Sequence, residues 1–413
     1  MPLKLLLVHN YYQQRGGEDV VYEAEARLLE QHGHQVLRYE ARNDGLEALP
    51  PWTLARQTLW NSRTHRAVRR LLERERPALV HVHNTLPVIS PAVYYAARAA
   101  GVPLVQTLHN YRLLCPSAVL FRAGHLCEAC LHRPLALPAV RYGCYRGSRA
   151  ASAAVATTSA LQRLFGTWRR CVDLFVALTG FARDKFIEGG LPGDRIVVKP
   201  NFAPDRRVER TDAGYALFVG RLSPEKGVRP LLDAWRLLGQ RIRLRIIGDG
   251  PESGAVTEAV QAGVAIDYLG RQSPEAVATA MAGASFLVFP SVWYETFGLT
   301  IIEAYAAGLP VLASDLGAMR DLVKDGITGL RARPGDPRHL AQQVEWALDH
   351  PGQMRAMGHN ARREYESRYT PERNLAMLLE VYDTALRRTT RAGSAPAAWT
   401  PSATVGDRQP VES

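Results

Sequence analysis

No stretch of this 413-residue sequence contains the ~20 consecutive apolar residues that a membrane-spanning helix requires. The opening MPLKLLLVHNYY has an apolar run that is too short for a signal peptide, and no small-residue cleavage site follows it. Hydrophobic residues make up 46% and charged residues 22% of the sequence, which is typical of a globular enzyme. We therefore expect a cytoplasmic protein and, at ~150 residues per domain, two domains.

Cysteine is scarce, and its five positions do not form the framework of a secreted disulfide-rich protein. Four of them form one C-x2-C pair flanked by two single cysteines, and four thiolates suit a tetrahedral zinc ion, although a strong signal would have two such pairs. Reduced packed thiols and redox-active thiols remain the alternatives. The residues of this predicted structural zinc site are Cys115, Cys127, Cys130 and Cys144. The fifth, Cys171, has apolar neighbours and is expected in the core.

The glycine fingerprint G-x-G-x-x-G is absent where each half of the chain begins, which argues against a dinucleotide-dependent oxidoreductase or epimerase. The net charge is +11, so phosphates or an anionic membrane surface are candidate partners. Arginines are spread along the chain and no recognised binding module occurs, so we expect no nucleic-acid partner.

Apolar strands and amphipathic helices alternate in two runs, which a polar, proline-containing connection separates. Alternation of this kind predicts βαβ units, so we expect an α/β fold with two Rossmann-like parallel-sheet domains that face each other across a cleft. The expected parts are a first domain (1–204) with a cysteine-rich insertion (112–150), a second domain (205–371), a helix returning to the first domain (372–390) and a disordered tail (391–413).

Ligands of parallel sheets bind beyond the carboxyl ends of the strands, so the loops there hold the candidate site residues. Gly16 and Gly17 follow the first strand and open a helix, where bare amides attract anions, although a tight turn explains them equally well. Arg221 and Lys226 follow the first strand of the second half, and the two cations could bind a diphosphate together. Gly248 is a further close-approach candidate, with turn chemistry as its alternative.

Two acids, Glu295 and Glu303, flank the start of a predicted helix near Gly298. An ionised carboxylate only accepts hydrogen bonds, and sugar and ribose hydroxyls offer paired donors. Backbone amides at the helix start would stabilise an anion or a sugar oxygen. We therefore interpret the stretch from 294 to 304 as a nucleotide-sugar site in which each acid holds one of the two sugars.

Three stretches, VGRLSPEKG, IIGDGPE and FPSVWYETFGLTIIEAYAAGLPVLASDLG, resemble the retaining glycosyltransferases of the GT4 class, which have the GT-B fold. The similarity covers residues 1 to about 388. It implies catalytic roles for residues beside the sugar and the leaving diphosphate: His109, Arg221, Lys226 and Glu295. It also implies contacts to the nucleotide sugar for Gly16, Gly17, Gly248, Thr296, Phe297, Gly298, Leu299 and Glu303. Of these residues, Glu303 is the one implied to bind the ribose.

The resemblance also implies front-face attack with retention, in which the donor phosphate helps to deprotonate the acceptor, a glycan or a lipid-linked hydroxyl. No D-x-D occurs, so arginine and lysine, rather than a bridging metal, are expected to hold the diphosphate, and no cofactor is required. A glycosidase-like reaction would need a second flanking acid, and none is evident in the loops of the first domain. A non-catalytic glycan or membrane-surface binder is the remaining alternative.

The segment from 53 to 76 predicts one helix with apolar positions, among them Trp60, Val68 and Leu72, surrounded by arginines. Such a helix suits an anionic bilayer surface, so peripheral association with the inner face of the membrane is expected. The alternative is that the apolar positions pack against the sheet and the arginines are merely solvated.

Overall fold

A computed structural model describes residues 2–13, 16–44, 50–206 and 208–391 of the chain. Within them the chain forms two six-stranded sheets in which every neighbouring pair of strands is parallel. The predicted disordered tail lies, from residue 392 onward, outside the described residues. No described helix is long and apolar enough to cross a membrane.

The first sheet has the strand order β2-β1-β3-β4-β7-β8, and a short antiparallel hairpin (β5, β6) lies in the cysteine-rich insertion. This order is the flavodoxin-like one, in which the switch point lies between β1 and β3. The bounds of these strands are β1 (Lys4–Tyr11), β2 (Gln35–Arg42), β3 (Leu79–Val82), β4 (Leu104–Thr107), β5 (Phe121–Arg122), β6 (His125–Leu126), β7 (Leu174–Ala177) and β8 (Ile196–Val198).

The second sheet has the order β11-β10-β9-β12-β13-β14, which is the order of a dinucleotide-binding Rossmann fold, with its switch point between β9 and β12. Its strands are β9 (Tyr215–Val219), β10 (Arg243–Ile247), β11 (Ile266–Gly270), β12 (Ala284–Phe289), β13 (Val311–Ser314) and β14 (Gly329–Ala332).

Helices cover both faces of each sheet, which is why the central strands are buried and almost continuously apolar. Those of the first half are α1 (Gly17–Gln31), α2 (Pro51–Leu59), α3 (Ser62–Glu75), α4 (Ala92–Ala99), α5 (Leu137–Arg141), α6 (Arg149–Leu164), α7 (Thr167–Arg170) and α8 (Gly180–Glu188). Those that follow are α9 (Val228–Leu238), α10 (Ser253–Gln261), α11 (Pro274–Gly283), α12 (Leu299–Ala306), α13 (Ala318–Leu322), α14 (Pro337–Asp349), α15 (Pro351–Arg368) and α16 (Pro371–Arg391).

The last helix, α16, packs against the first sheet rather than the second. Its Leu378 and Tyr382 are fully buried in a cluster with Leu5 and Leu174 of the first sheet. The Tyr382 hydroxyl lies 2.8 Å from Nδ1 of His81 on β3. This contact connects α16 to the centre of the first sheet.

The segment from 53 to 76 is not the single helix that the sequence predicts. Trp60 is extended, and Asn61 begins α3 by accepting hydrogen bonds from the amides of Arg63 (3.0 Å) and Thr64 (3.2 Å). Val68 of α3 is fully buried in the core of the first domain, as is Leu72, whereas Trp60 is 40% exposed. The alternative interpretation, that the apolar positions pack inside the domain, is therefore confirmed for α3.

Candidate active site

The carboxyl ends of the two sheets meet where the loop after β4 contacts the loop after β12. The Thr296 hydroxyl donates to the backbone oxygen of His109 (2.7 Å), and the Tyr111 hydroxyl donates to that of Glu295 (3.4 Å). Both contacts join the loop after β4 to the loop after β12. The candidate site thus lies where parallel sheets bind ligands, at the switch point of the second sheet.

Lys226 and Glu295 form the ion pair at the centre of this site. The Lys226 ammonium lies 2.7 Å from Oε1 of Glu295, and the Ser291 hydroxyl donates to the same oxygen at 2.7 Å. The rings of Phe289 and Trp293 lie 5.6 Å and 5.5 Å from the ammonium, at cation-π distance. Glu295 is buried and Lys226 only partly so, which leaves the cation accessible from the cleft.

The turn that carries Lys226 depends on a glycine. Gly227 has φ +72°, and a Cβ there would lie 2.0 Å from the backbone oxygen of Pro290. The loops after β9 and β12 are therefore in direct backbone contact. Position 248 requires glycine for a similar reason: Gly248 has φ +142°, and a Cβ added there would lie 1.8 Å from the backbone oxygen of Gly220. Packing between two strand ends thus explains this glycine without a ligand.

Arg221 is exposed at the end of β9, and its side chain bonds to no other side chain of the described chain. The amides of Thr296 to Leu299, at the start of α12, donate to no acceptor of the described chain either. A free guanidinium and free helix-start amides in one cleft are suited to negatively charged oxygens.

Glu303 lies on α12, half-buried, and its carboxylate accepts no hydrogen bond from the described residues. Burial raises the pKa of Glu303 to about 7, and the charge of Arg206 offsets only part of this effect. A carboxylate in this state lacks the donors that would stabilise its charge, and two hydroxyl groups of a ligand would supply them.

The glycine pair after β1 is not required by its backbone. Gly16 has φ −111°, and its amide donates to Oδ2 of Asp19 at 2.8 Å. A Cβ on Gly17 would meet nothing within 4 Å. Since neither the turn nor local packing needs glycine here, the pair leaves open space beside the start of α1.

His109 follows β4, and its ring is held by a second histidine. Nε2 of His109 lies 2.9 Å from Nδ1 of His83, and the two rings are stacked. Burial lowers the pKa of the His109 imidazole well below its ordinary value, so the ring is neutral at pH 7.

Glu18, at the start of α1, is an acid of the first domain that the sequence analysis missed. Its carboxylate accepts from Nδ2 of Asn110 (2.8 Å) and from Nδ2 of Asn84 (3.2 Å), next to His109. Burial raises the pKa of Glu18. The sequence analysis considered acids in the loops of the first domain, whereas Glu18 lies in the first turn of α1. The available signal was an acid directly after the Gly16–Gly17 pair.

The four cysteines of the insertion line one small cavity, together with Arg122 and Tyr142. In the described chain no three of their sulfur atoms all lie within 4.8 Å of one another. The sulfur atoms are therefore farther apart than they would be around a bound zinc ion. All five cysteines are free thiols, and Cys171 is buried in the core as expected. Burial raises the pKa of Cys130 to about 11, unlike that of a reactive thiol.

A buried group resembling a metal site lies behind the cleft. Glu25, His81 and His83 are the set of three whose candidate ligand atoms all lie within 4.8 Å of one another among the described residues. Oε1 of Glu25, however, accepts a hydrogen bond from the Lys199 ammonium at 2.6 Å. This lysine already supplies the positive charge that a metal ion would bring, so the group does not fit a metal centre.

Comparison with known proteins identifies the family. The model for Glyco_transf_4 (Glycosyltransferase Family 4) matches residues 15–207, and that for Glycos_transf_1 (Glycosyl transferases group 1) matches residues 201–364. The chain is 28% identical over 304 residues to alpha-D-kanosaminyltransferase of Streptomyces kanamyceticus, covering 71% of this chain and 74% of that protein. It is 31% identical to phosphatidyl-myo-inositol mannosyltransferase of Mycobacterium leprae, covering 46% and 53%. This chain spans about half the length of several curated relatives that it matches.

Solved structures agree on the fold. The crystal structure of the Anabaena protein HepE in complex with UDP and glucose matches with a TM-score of 0.66 at 18% identity, covering 92% of this chain and 99% of that one. Sucrose-phosphate synthase from Thermosynechococcus elongatus matches with a TM-score of 0.67 at 17% identity, covering 95% and 100%. With its two parallel-sheet domains and both family matches, the chain belongs to the GT4-class glycosyltransferases and has the GT-B fold.

Proposed function

We propose that this protein is a retaining hexosyltransferase that moves a hexose from a nucleotide-diphosphate sugar to a hydroxyl of a glycan or lipid-linked acceptor. The observation that carries the proposal is the cleft with its cations and helix-start amides on one wall and a neutral histidine and an acid on the other. HepE binds UDP and glucose on the same fold, and the kanosaminyl- and mannosyltransferases are sequence relatives.

The donor diphosphate would lie between Arg221 and Lys226. As the nucleoside diphosphate departs, negative charge grows on its oxygens, and two fixed cations stabilise that charge without needing a bridging metal. Lys226 is already held by Glu295, so it needs no reorganisation when the leaving group forms. Arg221 is free of side-chain partners in the described chain, and its planar fork fits a phosphate.

The two sugars of the donor would be held by the two acids first noted in the sequence. The Glu303 carboxylate accepts both ribose hydroxyls, which satisfies a group that has no donor in the described chain. Glu295 and the amides of Thr296 to Leu299 contact the hexose. Gly16 and Gly17 leave room for the diphosphate and acceptor beside α1.

On the first-domain wall, His109 contacts the transferred hexose and Glu18 accepts a hydrogen bond from the acceptor hydroxyl. In front-face attack the acceptor oxygen approaches from the side of the leaving phosphate, which takes the proton, and the configuration is retained. A glycosidase-like double displacement would instead use a carboxylate as nucleophile. The pairing of Glu295 with Lys226 favours front-face attack, because an ion-paired carboxylate is a weaker nucleophile.

We propose that the cysteine cluster binds a structural zinc ion. Four thiolates are a suitable donor set, and the sulfur atoms would have to move closer to one another to bind it. Cys115, Cys127, Cys130 and Cys144 would hold the ion and fix the insertion beside His109. The ion has no part in the transfer itself.

Work at the inner face of a membrane is also proposed, through the arginines of the predicted helix segment and those of a neighbouring segment rather than through the apolar stripe of α3. Residues 129–172 contain seven arginines and no acid, and residues 50–72 contain five arginines and no acid. The helices of the two segments, α2 and α6, pack together. Trp52 on α2 (69% exposed), Leu164 (77%) and Phe165 (53%) add apolar area to this basic surface.

The deciding experiment is a screen of UDP-, GDP- and ADP-sugars with the purified protein, in which hydrolysis or transfer is followed by release of nucleoside diphosphate. Turnover of at least one donor, with retained configuration of the product, is expected. Tight binding of nucleotide sugars without any turnover would favour a non-catalytic binder. Oxidation or epimerisation of the sugar would favour the alternative enzyme classes.

A further inference from the structure

A line of buried polar groups runs from the cleft to the interior of the first domain. It begins at His109, whose Nε2 lies 2.9 Å from Nδ1 of His83. On the other side of the His83 ring, Nε2 lies 3.6 Å from Oε2 of Glu25. Oε1 of Glu25 accepts from the Lys199 ammonium at 2.6 Å. The side chains of Glu25 and Lys199 are each 1% exposed.

Two atoms in this line are buried and lack a hydrogen-bond partner: Nε2 of His83 and Oε2 of Glu25. They face each other, and a movement of about half an ångström would bring them within hydrogen-bond distance. The other rings around His83 are His9, Tyr22 and His81, with centroids at 6.3, 5.2 and 4.3 Å. Both nitrogens of His81 are already bonded, to the hydroxyls of Tyr382 and Thr107. Glu25 is thus the acceptor available to His83.

The direction of the hydrogen bonds follows from the charge of Glu25. Burial lowers the pKa of His83 and of His109 well below the ordinary value, so each ring is neutral and carries one N–H. Glu25, paired with Lys199, is a carboxylate and can only accept, so the N–H of His83 must be on Nε2. Nδ1 of His83 is then an acceptor, and the N–H of His109 must be on Nε2.

We propose that Glu25 and His83 are positioning residues that fix His109 as the Nε2–H tautomer and leave a lone pair on its Nδ1. This inference rests on the proposed function and deepens it by stating what His109 recognises. An imidazole that can only accept at the open nitrogen selects a hydroxyl donor of the transferred hexose. It would not bind a carbonyl or phosphate oxygen, since those groups are acceptors themselves.

Lys199 determines the direction of the hydrogen bonds in this line. If Glu25 were protonated, it could donate to Nε2 of His83, and every hydrogen bond in the line would reverse. The Lys199 ammonium, at 2.6 Å, can only donate and pairs with Glu25 as a carboxylate, whose oxygens only accept. Lys199 is held in turn by Oδ1 of Asn374 on α16 (3.2 Å), so the last helix contributes to the setting of His109.

The test is a long-range ¹H–¹⁵N correlation spectrum of the full chain with ¹⁵N-labelled histidine, which distinguishes protonated from unprotonated ring nitrogens. The His109 signals are assigned by their loss in His109→Gln. We expect Nε2 of His109 to be protonated and Nδ1 unprotonated at about pH 7.5, without any donor present. The opposite tautomer in the wild-type chain would overturn the proposal. Because no substrate is used, this result is independent of whether the donor screen succeeds.

Glu25→Gln gives a directional result. Lys199 can only donate, so it keeps the oxygen of the introduced amide and turns the NH2 group towards Nε2 of His83. Both imidazoles should then adopt the opposite tautomer, so that Nδ1 of His109 is protonated. We expect kcat/KM to fall by about 10- to 100-fold, the range for one lost substrate hydrogen bond. An unchanged tautomer in a folded Glu25→Gln protein would overturn the role of Glu25.

Since Glu25→Gln disturbs a buried ion pair, His83→Leu is the second variant. It removes the acceptor of His109 without touching Glu25 or Lys199, and it should give a mixture of His109 tautomers and the same fall in kcat/KM. A single unchanged tautomer would contradict the role of His83. The matched control is Tyr382→Phe, which removes a buried hydroxyl from the neighbouring His81 only and should leave the His109 tautomer and kcat unchanged.

Discussion

The ammonium of Lys226 lies 2.7 Å from the carboxylate of Glu295, although the two residues are 69 positions apart. They follow β9 and β12, the two strands between which the order of the second sheet reverses. The pair therefore occurs where a parallel sheet opens its ligand crevice. An ammonium held in place by a carboxylate is suited to stabilise the negative charge of a leaving group. This relationship leads to the first prediction.

Loss of either cation should slow the chemical step more than it weakens donor binding. We expect Lys226→Met and Arg221→Ala to lower kcat by about 100-fold or more, because their charges interact most strongly with the diphosphate as it leaves. The measurement is steady-state kinetics with the donor identified in the screen. Arg241→Ala is the control, since Arg241 is an exposed, ion-paired arginine before β10, at the opposite edge of the sheet. A wild-type kcat in either cleft variant would contradict the proposed role.

Glu303→Ala should weaken donor binding with a smaller effect on kcat. Two ribose hydroxyls would lose their acceptor in a desolvated site, which costs about 1–3 kcal/mol and raises Kd roughly 5- to 150-fold. Calorimetric titration with the donor or its nucleoside diphosphate measures this directly. Glu345→Ala removes an exposed acid from α14 and serves as the control. An unchanged Kd would remove Glu303 from the site.

The same residue predicts a pH dependence with a defined sign. The pKa of Glu303 is raised to about 7 in the free protein, and hydroxyl donors stabilise the ionised form, so donor binding lowers it. Binding should therefore release a fraction of a proton near pH 7, and affinity should fall as the pH drops from about 8 to about 6. Titrations in buffers of different ionisation enthalpy report the proton count. In Glu303→Ala this dependence should disappear.

The sequence predicts the fold class, and it points to a candidate donor site, because both depend on local patterns. Strands such as β1 and β12 are long apolar runs, and the residues after β9 and β12 form short recognisable motifs. Five strands are not evident from the sequence: β5, β6, β7, β8 and β14 have only two to four residues each. Helix α3 was merged with α2 because only Trp60 and Asn61 separate them.

The first-domain wall could not be predicted in the same way, because its contacts join distant parts of the chain. Asn110 reaches Glu18 across 92 positions, and Lys199 reaches Glu25 across 174. The sequence shows each of these residues as an ordinary helix or strand-end position. Only the sheet order, which brings β1, β3 and β4 side by side, reveals that they share one site.

The proposed role of Glu18 predicts different effects on sugar transfer and on donor hydrolysis. If its carboxylate accepts from the acceptor hydroxyl, Glu18→Gln should lower the transfer rate about tenfold or more while donor hydrolysis changes by less than a factor of about three. Both rates are measured with the same donor, with and without acceptor. The neighbouring Glu23, on the same helix, provides the Glu23→Gln control. Equal loss of both rates would instead indicate a role of Glu18 in donor binding or in the structure of the site.

Chelation should not stop turnover if, as proposed, Arg221 and Lys226 rather than a bridging metal hold the diphosphate. Activity should survive EDTA during an assay that is short compared with unfolding, since a chelator could also remove zinc from the insertion. Turnover that is lost at once and restored by Mg²⁺ or Mn²⁺ would contradict this prediction.

The same protein, purified without chelators, should contain one zinc ion per chain by elemental analysis. Cys130→Ser should lower this stoichiometry, and Cys171→Ala, which changes the buried cysteine outside the cluster, should not. No stoichiometric metal would leave four reduced, packed thiols.

The last prediction concerns the basic surface on α2 and α6. Trp52, Leu164 and Phe165 are apolar and exposed among arginines, and a basic residue near anionic lipid contributes roughly 1 kcal/mol, a gain that salt screens. We expect the protein to float with anionic vesicles at low salt and to be released at high salt, and Trp52→Ser with Phe165→Ser to reduce binding. Leu237→Ser is the matched control, since Leu237 is similarly exposed but lies on α9 of the second domain. If the wild-type protein fails to bind anionic vesicles at low ionic strength, the positive charge of this surface serves the phosphate-bearing donor or a soluble anionic acceptor instead.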